Sequence, residues 1–223
     1  MVGFSYYNPA KIIFGTDAQT KLKDLLDDLG VTSLLMVYSG EFVKELGIYQ
    51  TVETACGELG IAFYENGDVV PNPSIDTAKA IALGIPYPGD VWDFFAQGVT
   101  PERVLPIGVI TTIPASGSET SNAAILSNQK WKLGFEDDRI IPKFAIMNPR
   151  YTLGLLKFQT AAGVADILSH LLERYFSNVE HTDVTDALIE GAVRALLKNG
   201  RQVVAHPEDL DARSEIQWLI WRR

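Results

Sequence analysis

The sequence predicts an α/β chain in two parts: a doubly wound region over residues 1–153, then an all-α region over 154–223. Three observations predict it. Short apolar runs of strand length alternate with amphipathic helices as far as Met147, the pattern of strands covered by crossover helices. From Gln159 onward the texture is helix alone. The first helix of that part, Gln159–Phe176 (QTAAGVADILSHLLERYF), is apolar on nearly every face and carries Asp166 and His170 one turn apart.

Taken in order, Asn8–Phe14 (NPAKIIF) reads as a strand closed by Gly15. Leu22, Leu25, Leu26 and Leu29 recur at helical spacing, and Gly30 ends that helix. Ser33–Tyr38 (SLLMVY) is an uninterrupted apolar run, expected of a parallel strand covered on both faces. Ser39 and Gly40 form the turn after it. Val52, Ala55, Cys56 and Leu59 mark a second helix stopped by Gly60, and Ile61–Tyr64 the next strand. The alternation then stumbles. After Pro71-Asn72-Pro73 comes a short helix, Asp76–Leu83 (DTAKAIAL), where a further helix and strand are expected first. Pro106–Ile113 and Lys143–Met147 resume the buried-strand pattern. Thr182–Asn199 is a helix stopped at Gly200, and Glu208–Trp221 a third helix of the all-α part. The domain boundary falls near Leu153–Lys157.

Composition narrows the function classes. A hydrophobic fraction of 47% and a charged fraction of 21% are those of an ordinary soluble globular chain. A net charge of −9 with no block of Lys and Arg argues against nucleic acid or an anionic membrane as partner. The single Cys56 excludes a disulfide framework and a cysteine-based zinc site, and fits a reducing, cytoplasmic compartment. No apolar run reaches transmembrane length.

Two stretches carry candidate chemistry. An Asp and an imidazole one helical turn apart can hold a divalent metal between them; the alternative is an Asp–His hydrogen bond on an exposed strip. The spacing alone favours the second, and the apolar surroundings bring the two nearer to even, because a buried unpaired carboxylate costs several kcal/mol. The second stretch, Thr111-Thr112-Ile113-Pro114-Ala115-Ser116-Gly117-Ser118-Glu119, directly follows a buried strand. Small hydroxyl residues and one Gly let a backbone approach a ligand at the carboxyl end of a parallel strand, where α/β proteins bind cofactors. The alternative is a solvated turn.

These residues resemble the iron-containing (group III) alcohol dehydrogenases, and within them the butanol-dehydrogenase-like branch. The segments NPAKIIFG, TTIPASGSETSNAAILSN, WKLGF and above all QTAAGVADILSHLLERYF carry the resemblance, which spans nearly the whole chain. It implies an N-terminal Rossmann-like dinucleotide-binding domain and a C-terminal helical domain with a divalent metal, iron or zinc, in the cleft between them. The implied reaction is hydride transfer between NADP or NAD and a small alcohol or aldehyde, in a homodimer. By resemblance, Asp166 and His170 are metal ligands; Thr111, Thr112, Ser116 and Ser118 lie along the nicotinamide nucleotide; Lys132 stands on its phosphate and ribose side; and Leu153 belongs to the cofactor wall. Ser39 and Gly40 fall at the turn facing the adenosine ribose. NAD-preferring members place an Asp there, so Ser39 leans towards NADP(H).

Two departures from the family pattern accompany these matches. The glycine-rich turn that cradles the pyrophosphate is absent, as though the helix, strand and turn between the segment Pro71–Asp76 and the helix Asp76–Leu83 had been cut out; Asp76 belongs to one side or the other of that junction. The two further metal-binding histidines of the family are also missing before Arg223. The resulting expectation is an incomplete dinucleotide-binding domain, a truncated helical domain, and, as the alternative to an active enzyme, a catalytically silent folded or oligomerising fragment.

Overall fold

The computed structural model describes residues 7–69 and 74–219. Pro71-Asn72-Pro73 and Trp221 lie outside the described residues.

The elements run β1 (Lys11–Phe14), α1 (Leu22–Leu29), β2 (Ser33–Val37), α2 (Phe42–Glu45), α3 (Ile48–Leu59), β3 (Ala62–Asn66), α4 (Ser74–Gly84), α5 (Trp92–Gln97), β4 (Gly108–Thr111), β5 (Ala123–Asn128), β6 (Trp131–Glu136), β7 (Phe144–Met147), α6 (Lys157–Tyr175), α7 (Asp183–Ala205) and α8 (Leu210–Leu219). Parallel strands and helices precede Leu153, and between Lys157 and Leu219 the regular elements are all helical, as the hydrophobic periods predict.

The parallel strands form two groups. One is β1-β7-β4, with β7 central and all four of its residues buried; the other is the pair β2-β3. Among the described residues no ladder joins β2 to β4, so the single doubly wound sheet expected from sequence is divided at the place where an intervening strand is missing from the chain. This corrects the reading of β2 as buried on both faces: with β3 as its one ladder partner, it leaves Leu35 40% exposed. The two groups still share apolar contacts. Leu22, Leu25 and Leu26 of α1 and Val52, Ala55 and Cys56 of α3 bury themselves with Phe144 and Ile146 of β7. Each of these helices ends on a glycine in the left-handed region, Gly30 at φ 60° and Gly60 at φ 68°.

Two further departures have plain causes. Residues 123–136 form an antiparallel hairpin, β5-β6, absent from the sequence reading, with Gln129 at φ 53° in its turn. Gly200 does not stop a helix. It lies buried inside α7, and a Cβ there would stand 2.7 Å from Val164 Cγ1 of α6, so the missing side chain lets the two helices approach. The helical core gathers Ile167, Leu171, Ile189, Leu196, Val203 and Ile216 beneath Met147 of β7.

Candidate active site

The loop after β4 is held from below by a residue the sequence reading passed over. Lys79, on α4, is fully buried. Its Nζ donates to the carbonyl oxygens of Ser118 (2.9 Å), Ser121 (2.8 Å) and Ala123 (2.7 Å) and to Ser118 Oγ (3.1 Å). The Ser118 hydroxyl in turn donates to Asp76 Oδ1 at 3.1 Å. Burial pushes the Lys79 pKa down to about 8, against the opposing carboxylates of Asp76 and Glu119, so the ammonium keeps its proton at pH 7. Burial also raises the Asp76 pKa, with Lys79, Ser118 and Lys132 all acting the other way. An Asp and a Lys three residues apart in the otherwise apolar DTAKAIAL helix were the available signal: charges on such a helix need partners.

The loop itself turns at Gly117, whose φ of 69° is a conformation few side-chain-bearing residues adopt, and enters a short 3-10 helix at Ser118–Thr120. Thr111 closes β4 with its side chain buried and Oγ1 without a hydrogen-bond partner, an orphaned polar atom at the carboxyl end of a parallel strand. Thr112 is half-buried and Ser116 exposed. Leu153, 38% exposed, follows the 3-10 helix Pro149–Thr152, whose Asn148 cap accepts from Arg150 N. Lys132 is exposed on β6, close enough to favour the charged form of Asp76. Ser39 and Gly40 follow β2; Ser39 makes an antiparallel bridge to Asp68, and Gly40 has φ 77°. Tyr38, Tyr151 and Ile110 share one apolar cluster, so the turn after β2 and the end of β4 belong to the same end of the parallel strands.

Helix α6 meets this loop at one point. A Cβ on Gly163 would stand 2.5 Å from the carbonyl oxygen of Pro114, so only a glycine lets the helix backbone lie against the loop. At 100° per residue, His170 falls within about 20° of Gly163 on the helix and Asp166 within about 60°. The face resting on the loop therefore also presents Asp166 and His170. Their side chains are 42% and 26% exposed, with Nε2 of His170 3.6 Å from Asp166 Oδ1 and Nδ1 3.7 Å from Glu173 Oε2. This corrects the all-round burial expected of the helix. Thr160, Gly163, Ile167 and Leu171 are buried, while Ala161 and Ala165 are exposed although apolar, because α7 packs against one side of the helix only.

The donor set tests the fit of a divalent metal. A carboxylate and an imidazole at this spacing suit one, but a catalytic site takes three protein ligands and keeps one open position. Among the described residues no group of three or more His, Cys, Asp or Glu side chains could hold an ion. His181 is exposed at φ 63°, and His206 caps α7 with Nδ1 3.8 Å from Glu208 Oε1. The described residues thus supply part of a metal site and do not complete one.

The family model for iron-containing alcohol dehydrogenase matches residues 74–149, and that for the C-terminal part of the Fe-containing alcohol dehydrogenase family matches residues 160–219. The chain belongs to the iron-containing alcohol dehydrogenase family. It is 35% identical to NADH-dependent butanol dehydrogenase A of Clostridium acetobutylicum, over 98% of this chain and 63% of that protein. To the NADPH-dependent aldehyde reductase YqhD of Escherichia coli it is 27% identical, over 98% and 64%. Among solved structures, NADH-dependent butanol dehydrogenase A from Thermotoga maritima superposes with a TM-score of 0.91 at 30% identity, covering 98% of this chain and 62% of that one. The chain therefore spans just under two thirds of the length of these family members. The alignment with the Clostridium protein runs over 247 positions, more than the 223 residues of this chain, so that family member carries residues within the matched span that are missing here. The first family match begins at Ser74, two residues before Asp76 at the junction. No helix among the described residues is long and apolar enough to cross a membrane.

Proposed function

We propose that this chain carries the nicotinamide-side loop and two metal ligands of an NAD(P)-dependent alcohol dehydrogenase or aldehyde reductase acting on a small alcohol or aldehyde. The observation that supports this most is the contact of Gly163 with the Pro114 carbonyl, which sets the Thr111–Ser118 loop and the Asp166–His170 pair on one face of α6. In this reading residues 1–153 form the dinucleotide domain and 154–223 the helical metal-binding domain. Thr111, Thr112 and Ser116 offer hydroxyls to the nicotinamide nucleotide. Ser118 serves indirectly, because its hydroxyl is engaged with Asp76 and Lys79. Lys132 attracts the phosphates, Leu153 walls the site, and Ser39 and Gly40 face the adenosine ribose. Ser39 favours NADP(H) by removing the carboxylate that would repel a 2′-phosphate. The assembly is a homodimer, and the compartment cytoplasmic.

A second reading has its own support: the glycine-rich turn is absent and, among the described residues, no third ligand joins Asp166 and His170, which favours a catalytically silent fold. Titration of NADPH and NADH by fluorescence, with butanal reduction followed in the same sample and particle mass by light scattering, separates the two. Micromolar NADPH binding with turnover supports the enzyme; binding no tighter than millimolar and no turnover supports the silent fold. Tighter binding of NADH than NADPH would overturn the role given to Ser39.

A further inference from the structure

Behind the loop, where α6, α8 and the 3-10 helix Pro149–Thr152 converge, lies a cavity of about 10 Å³, lined by Pro114, Thr152, Gln159, Thr160, Arg213 and Ile216 among others. That is room for one water-sized body. Arg213 is 3% exposed. Its Nε donates to the Pro207 carbonyl at 2.6 Å, while Nη2 is buried without a partner. Among the described residues no carboxylate pairs with it. Thr160, which also lines the cavity, has Oγ1 likewise buried and unpartnered, and one turn along α8 from Arg213 the fully buried Gln217 leaves both amide atoms unpartnered. A guanidinium does not discard its proton at any ordinary pH, so burial cannot neutralise it as it can a lysine.

An uncompensated buried charge is strongly destabilising. A neutral water would satisfy Nη2 as a hydrogen-bond acceptor and leave the charge unbalanced; an anion answers both needs. A cavity this small suits the smallest anions best, a monatomic one ahead of a carboxylate or an oxyanion. We infer that Arg213, with Thr160, forms a binding site for one monatomic anion of the chloride class, which ties α8 to α6 behind the Pro114 loop.

The test uses the whole chain. Melting temperature is measured in sodium chloride, sodium bromide and sodium gluconate at matched ionic strength, for the parent protein and for Arg213→Met and Thr160→Val. A saturable rise of about 2–4 °C in either halide over gluconate is expected for the parent, reduced in Thr160→Val and absent in Arg213→Met. Crystals grown in bromide should show one anomalous peak within hydrogen-bond distance of Arg213 Nη2. Should Arg213→Met fail to fold, Thr160→Val and the bromide peak still decide. Equal melting in all three salts, a halide effect undiminished in Thr160→Val, or a cavity holding a water with no anomalous signal would overturn the inference.

Discussion

The Lys79 ammonium lies 2.7 Å from the carbonyl oxygen of Ala123 and 2.9 Å from that of Ser118, so one buried cation fastens both ends of the segment between them. The segment joins the turn at Gly117 to the first strand of the β5-β6 hairpin. Its shape thus depends on a helix that precedes it in sequence by some forty residues.

Replacing Lys79 by Met keeps the stem and removes the charge. The carbonyls of Ser118, Ser121 and Ala123 then lose this donor, at a cost of about 1–3 kcal/mol. Denaturant unfolding should show that loss, and amides of residues 118–123 should exchange with solvent faster than in the parent. An unchanged midpoint would show that the loop is held by other contacts.

The same pair of proteins isolates a pH effect. The folded Lys79 pKa of about 8 lies below its ordinary value of 10.5, so between those limits the unfolded chain binds more protons than the folded one. Stability of the parent relative to Lys79→Met should accordingly rise with pH across this window and be level below it. A flat difference between pH 8 and 10.5 would contradict the burial-driven shift.

Gly163→Ala places a methyl carbon 2.5 Å from the Pro114 carbonyl oxygen, a backbone atom that cannot swing away. Either α6 or the loop must move, with an expected loss of about 1–3 kcal/mol. Gly191→Ala, in the neighbouring helix α7 with open space around its Cβ, should be neutral or slightly stabilising. Equal effects at the two positions would mean that the helix does not rest on the loop.

Metal content after dialysis tests the Asp166–His170 pair. Two side chains retain an ion only with water completing its shell, so the purified chain should carry well under one metal per molecule and lose it readily to chelator. Asp166→Ala should abolish what remains. One tightly held ion per chain, lost in that variant, would establish that a third ligand exists.

Much of the fold was legible because burial writes a period into the sequence. Leu22, Leu25 and Leu26 are core at helical spacing, and Phe144–Met147 is a continuous apolar run in a strand covered on both faces. The run at Ser33–Val37 looked the same and is half-exposed, since an apolar run reports the strand's tendency and its neighbours decide the cover. The hairpin at 123–136 was missed because its turn, Gln129-Lys130, lacks the Asn-Gly or Asp-Gly signal, although Trp131-Lys132-Leu133-Gly134-Phe135 alternates as a half-buried strand should. At the candidate site the hydroxyl loop and the Asp–His spacing could be read directly. Lys79 leaves only the hint of its spacing from Asp76 on an apolar helix and Arg213 leaves none, because a cation in a helix is ordinarily solvated and only packing reveals where its stem leads.

The division of the parallel strands bears on how the chain folds. Pairing β2 with β3 brings together residues about 30 apart across the intervening helices α2 and α3, whereas β1 and β7 join residues about 130 apart. With no ladder spanning the two groups among the described residues, the early, local unit cannot template the late one by strand addition, and the distant pairing must instead be won by the shared apolar contacts of α1 and α3 with Phe144 and Ile146. Refolding followed by tryptophan fluorescence should accordingly be biphasic, with protection of the β2-β3 amides in the fast phase and of the β1-β7-β4 amides in the slow one.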